Sequence, residues 1–193
     1  MRKVTETPSK MVEKDGTIHF GTFRTPFRDV NILDVPLYSS SSGVPAFWKK
    51  FRLKEWQHFG IITSNYYFGM VIFDAKFMGV SFFYAYDRNE NKRFEHSVQL
   101  PGGAANVAAQ VYDGHCEFKK KGYRLYIENR LQQGYHKIIM DIDGKKDLPA
   151  VQGEIKVLED LNGIEPLVQV SPVTPFRPFY THKVVAPAEG EIM

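Results

Sequence analysis

The chain has one cysteine, Cys116, in 193 residues, so no internal disulfide can form and no oxidising compartment is called for. Long apolar runs are missing too. The most hydrophobic stretches, 66–73 and 77–86, are too short to cross a bilayer as helices. The first ten residues carry charge but lead into no apolar segment, which argues against a secretory signal and makes the cytoplasm the expected location. No excess of one charge stands out: 25 Lys+Arg against 22 Asp+Glu leave +3, too little to imply nucleic acid or an anionic membrane surface as a partner. The usual catalytic signatures are absent, with no Gly-x-Ser-x-Gly, no Gly-Lys-Ser/Thr loop and no Gly-x-Gly-x-x-Gly after a strand. Pro101-Gly102-Gly103 lacks the lysine and helix start of a phosphate cradle and reads as a turn. His19, His58, His96, His115, His136 and His182 show no metal-ligand spacing, so no metal and no other cofactor is expected.

What the chain has in abundance is aromatic residues. Fifteen Phe, ten Tyr and two Trp favour strands and large apolar surfaces. Residues 1–16 are polar and read as a flexible lead-in, with a first short strand over 17–23. Pro36, Ser39–Ser42, Gly43 and Pro45 make 34–46 a long surface loop. From 51 onward, aromatic and branched runs bounded by turn residues predict strands over 51–61, 66–73, 77–87, 93–100, 112–118, 123–131, 135–142, 151–158, 166–171 and 179–185. Within 135–142, His136, Ile138, Met140 and Ile142 share one face. A short helix over 104–110 is the one departure. About ten strands at this spacing predict an all-β antiparallel barrel or strongly curved sandwich with little helix, one domain over 17–193.

Two runs mix chemistry-bearing side chains. If 51–61 is a strand, Arg52, Lys54, Trp56 and His58 lie on one face, a row that lines a polar-tipped cavity or forms an outer cation–aromatic ladder. In the second run, two prolines, Pro175 and Pro178, bracket Arg177, and Tyr180 and His182 share a strand face as an acid/base or ligand-orienting pair. Cys116 is expected to be a buried small residue. Asp141 and Asp143, followed by Gly144-Lys145-Lys146, are expected at a solvated hairpin end.

The blocks RLKEWQHFGII, DAKFMGVSFFYAYDR, PGG, KKGYRLYIENRLQQGYHKIIMDI and EPLVQVSPVTPFRPFYTHKVVAPAEGEI, in that order over about residues 15–192, resemble the N-terminal half of the family called domain of unknown function 2804. That resemblance implies a lipocalin-like (calycin) fold, and a distant kinship to tandem lipocalin-like carotenoid hydratases and cyclases that hold a hydrophobic ligand in or between two β-barrels. Three functions are therefore expected in competition. One is a module binding a lipid- or polyprenyl-type molecule, with Arg52, Lys54 or Arg177 meeting its polar end. The next is a cofactor-free hydratase, isomerase or cyclase using Tyr180, His182 or His58. The last is a structural half-domain that pairs with a second β-domain or with another copy of itself.

Overall fold

The computed structural model describes residues 3–37 and 43–193, so the expected loop serines Ser39–Ser42 lie outside the described residues. The chain is mostly strand. In chain order the elements are β1 (Val4–Thr5), β2 (Gly21–Phe23), α1 (Ala46–Arg52), β3 (Glu55–Ile62), β4 (Tyr66–Asp74), β5 (Met78–Asp87), β6 (Lys92–Pro101) and β7 (Ala105–Asn106). There follow β8 (Gly114–Lys120), β9 (Tyr123–Arg130), β10 (Tyr135–Ile142), β11 (Val151–Leu158), β12 (Leu167–Thr174), β13 (Arg177–Lys183) and β14 (Ala188–Ile192).

These strands form three sheets, ordered β3-β4-β5-β6, β14-β11-β10-β9-β8-β7 and β1-β2-β12-β13. All pairings are antiparallel except β1 with β2. Period-two alternation explains the packing of the first two. Met70 and Ile72 of β4 and Phe83 of β5 meet Phe118 of β8, Leu125 and Ile127 of β9, and Ile138 and Met140 of β10 in one dry core. A smaller core, built on Met11, Phe23, Phe27, Val168 and Val170, lies under the third sheet.

Several expectations are corrected here. Among the described residues the three sheets close no barrel; an all-β sandwich fits them, and a lipocalin-type barrel is not confirmed. The space a barrel would leave open is filled by the side chains of two facing sheets. Within the expected flexible lead-in, the exposed β1 pairs with β2, and Met11 and Val12 are buried. The expected helix over 104–110 is replaced by the two-residue strand β7, where Ala105 pairs with Phe118. The expected strand over 51–61 starts only at Glu55, because Phe47, Trp48 and Phe51 recur at helical spacing after Pro45 and form α1. Arg52 is therefore the last residue of a helix and Lys54 lies in the connection, not on a strand face. Hairpins β4–β5, β9–β10 and β10–β11 match their expected strands within a residue or two.

Candidate functional site

Glu159 follows β11 directly and is fully buried. Two histidines hold its carboxylate. His136 Nε2 lies 3.1 Å from Oε2, and His182 Nε2 lies 2.8 Å from Oε1. Burial alone would raise the carboxyl pKa, but the two imidazole hydrogen bonds outweigh it and hold Glu159 down to about 2. The polar chain continues inward. His136 Nδ1 lies 2.9 Å from Asn129 Oδ1, so both nitrogens of that ring sit beside side-chain oxygens. Asn129 and Gln57 pair amide to amide at 2.7 and 3.1 Å. The Cys116 thiol donates to Gln57 Oε1 at 2.9 Å and accepts from the Ala108 N–H at 3.1 Å.

This chain runs from β8 through β3, β9 and β10 to β13, tying all three sheets together. Its members are hydrogen-bonded to one another, and its centre is buried, with Asn129 and His136 at most 2% exposed and Gln57 and His182 partly buried. Burial pushes the Cys116 thiol up to about 11, away from nucleophilic use. The two imidazoles each bond a separate carboxylate oxygen, and among the described residues no group of three His, Cys, Asp or Glu is placed to hold a metal ion.

The outward face of the β3–β6 sheet is the unusual surface. Where a solvated face would carry polar residues, β5 presents Val80, Phe82, Tyr84 and Tyr86, flanked by Trp56, Tyr67, Val71 and Phe73. Tyr84 lies flat over Gly69: a Cβ there would sit 2.3 Å from Tyr84 Cζ. Gly60 gives the same room to the Tyr67 ring. Tyr67, Phe82, Tyr84 and Tyr86, with Arg93 and Glu95 from β6, line an open cleft of about 450 Å³. The Arg93 guanidinium lies 5.0 Å from the Tyr84 ring centre and is ion-paired with Glu95. Hydrogen bonding with Tyr67, together with partial burial, pushes the Tyr84 phenol up to about 12, so that hydroxyl stays protonated.

The sequence-predicted residues fall in three places. Trp56 and His58 point outward on β3, not into the interior; Trp56 rests against Phe73 and Phe179 with ring centres 6.3 and 5.7 Å apart. Partial desolvation lowers the His58 pKa. Lys54 donates to the Ala75 and Phe51 carbonyls near α1, and Arg52 shares that corner. Arg177 is exposed at the start of β13. Tyr180 and His182 do share a face, and both are enclosed: Tyr180 packs on Phe27 with ring centres 6.0 Å apart, and its buried Oη has no hydrogen-bond partner among the described residues. Burial pushes the Tyr180 phenol well above its usual range. Neither the aromatic cleft nor a second one of about 560 Å³, among Lys10, Asn31, Asp34 and Lys49, is lined by Tyr180 or His182.

Sequence reasoning missed Glu159 and Asn129, which have no local pattern. It also missed the aromatic cleft, although a signal was present: a residue apolar at every outward position of 80–86 marks a face that water alone does not suit.

No helix among the described residues is long and apolar enough to cross a membrane. The family model described as domain of unknown function (DUF2804) matches residues 1–193. No curated protein and no solved structure matches the chain.

Proposed function

The chain belongs to the DUF2804 family, whose model spans all of it, and on that premise we propose that it is a binding module for a hydrophobic small molecule. The ligand lies against the outer aromatic face of the β3–β6 sheet. The observation that carries this reading is the cleft of Tyr67, Phe82, Tyr84 and Tyr86 with Arg93 and Glu95 at its rim. Four rings supply an apolar bed, and a few polar groups at one edge give orientation, the usual chemistry of a small-molecule site. A polyprenyl or acyl body stacks on the rings while its polar end meets Arg93 or the tyrosine hydroxyls. The calycin kinship implied by the motifs favours a ligand of the same class, moved here from the interior to the outer face because facing side chains fill the interior. The lone, buried Cys116 fits a reducing compartment such as the cytoplasm.

Calorimetric titration with geranylgeraniol and with palmitate tests the reading. One of the two is expected to bind, and Tyr84→Ala is expected to weaken it about tenfold or more through lost ring burial. Absence of binding by both probes, or binding untouched by Tyr84→Ala and Tyr67→Ala alike, overturns it.

A second reading has its own support. β3 is an edge strand whose outward Trp56 and Ile62 are 48% and 74% exposed, and a second β-domain or a second copy laid on the sheet would cover them. Light scattering decides between the two: a stable dimer that Ile62→Lys dissociates, with no probe bound, favours the structural role.

A further inference from the structure

At the end of the sheet opposite the cleft, α1 presents a second apolar surface of different character. The register places the corner beside the Glu55–Asp74 pair and the cleft at the Ile62–Tyr67 end. Phe47, Trp48 and Phe51 of α1 are 73%, 41% and 46% exposed, and Phe77 of the β4–β5 turn is 58% exposed. At helical spacing the three helix aromatics fall within one 100° arc, by the geometry of 3.6 residues per turn. Trp48 and Phe51 stack with ring centres 5.7 Å apart, and Lys54 Nζ lies 5.7 and 5.2 Å from the Phe51 and Phe77 ring centres. So many large aromatics left in water on one seven-residue helix mark a surface that a partner covers.

The charges beside it say which partner. Residues 43–54 contain Lys49, Lys50, Arg52 and Lys54 and no acidic residue. On the adjoining strands the carboxylates Glu55 and Asp74 share one cation, Lys76, which leaves that trio a single net negative charge against the four cations. Across from α1, Asp34 accepts from Asn31 Nδ2, while Lys49 Nζ donates to the Leu33 carbonyl. The net charge of +3 concealed this local concentration of cations.

We infer that α1 and the Phe77 turn form a docking site for an anionic lipid surface. Phe47, Trp48, Phe51 and Phe77 enter the headgroup–acyl boundary, and the lysines meet lipid phosphates and carboxylates. Interfacial aromatics flanked by lysine and arginine suit this boundary. A protein groove that took the same helix would need acidic groups to answer the cations. The site lies outside the aromatic cleft and stands without it.

Vesicle co-sedimentation with the full chain tests the inference, comparing pure phosphatidylcholine with phosphatidylcholine containing phosphatidylserine. Binding is expected only to the serine-containing vesicles and should weaken with added salt. Lys49→Glu with Lys50→Glu should lower it at least about tenfold, given roughly fivefold per cation near such a surface. Phe47→Ser with Phe51→Ser should lower it as far, with an unchanged far-ultraviolet circular dichroism spectrum showing that the fold survives. Tyr84→Ala, in the other site, and Lys92→Glu, at the opposite end of the β3–β6 sheet, should leave it unchanged. Equal binding to both vesicle types, or binding that survives both double variants, overturns the inference. So does concentration-dependent self-association abolished by Phe47→Ser with Phe51→Ser, which would assign the patch to a second copy of the chain.

Discussion

Glu159 is the residue on which the interior depends most. Its side chain is buried with two imidazoles on its two oxygens, and removing one member of such a cluster leaves the others unpaired in a dry core. Glu159→Gln is expected to destabilise the protein by about 3–5 kcal/mol at neutral pH, measured by urea unfolding. The pH dependence has a definite sign. Because the folded pKa of about 2 lies below the ordinary 4.5, the carboxylate contributes stability that is fully present above pH 4.5. That contribution is lost as pH falls through the folded value; the interval corresponds to about 3 kcal/mol. The stability difference between wild type and Glu159→Gln should therefore be flat above about pH 5 and shrink towards pH 2. A difference that persisted undiminished at pH 2 would mean the carboxylate charge is not what the histidines stabilise. None of this is visible locally in the sequence, where Glu159 sits before Asp160 as one more acidic residue in a turn.

At the scale of elements, hairpins with clean alternation were legible and short or irregular pieces were not. In β10, His136, Ile138, Met140 and Ile142 are all buried, as the period-two pattern requires. The helix α1 was not legible as such, because Phe51 and Leu53 also satisfy a strand pattern that runs on into Glu55. Nor was β14, whose Ala188–Ile192 has weak strand propensity and forms because β11 offers an edge. Gly190 makes that pairing work. Its φ of +140° is costly for other residues, and a Cβ would lie 2.1 Å from the Glu154 carbonyl oxygen. Gly190→Ala is expected to undock β14 at a cost of about 2–4 kcal/mol, seen as faster hydrogen exchange along β11 at unchanged exchange in β9. Unchanged exchange in β11 would show that the backbone there has room to move.

At the scale of the whole molecule, the two cores differ in size. The larger lies between the four- and six-stranded sheets, and the smaller under β2 and β12. Among the contacts that join them are the Glu159 cluster, the Tyr112 hydroxyl donating to the Pro26 carbonyl at 2.9 Å, the Arg28 guanidinium 4.5 Å from the Tyr112 ring centre, and the Trp56–Phe179 contact. With fewer buried apolar groups, the third sheet should open first. Amides of Val168–Val170 are expected to exchange faster than those of Leu125–Ile127 in native-state hydrogen exchange followed by mass spectrometry. Equal protection would mean the cores open as one unit.

By itself the sequence determined the all-β class, most of the long hairpins, the family, and the burial of Cys116 and of one face of β10. Each follows from local alternation, turn residues or motif order, which need no knowledge of distant partners. Only the tertiary structure decided that the sheets face one another without closing a barrel, and that His136 and His182, 46 residues apart by number, meet on one carboxylate. It alone turned Trp56 and His58 outward, because the face of a strand that is buried depends on which sheet packs against it. The same reason exposes the aromatic cleft: alternation tells two faces apart, but the neighbours choose which one meets water.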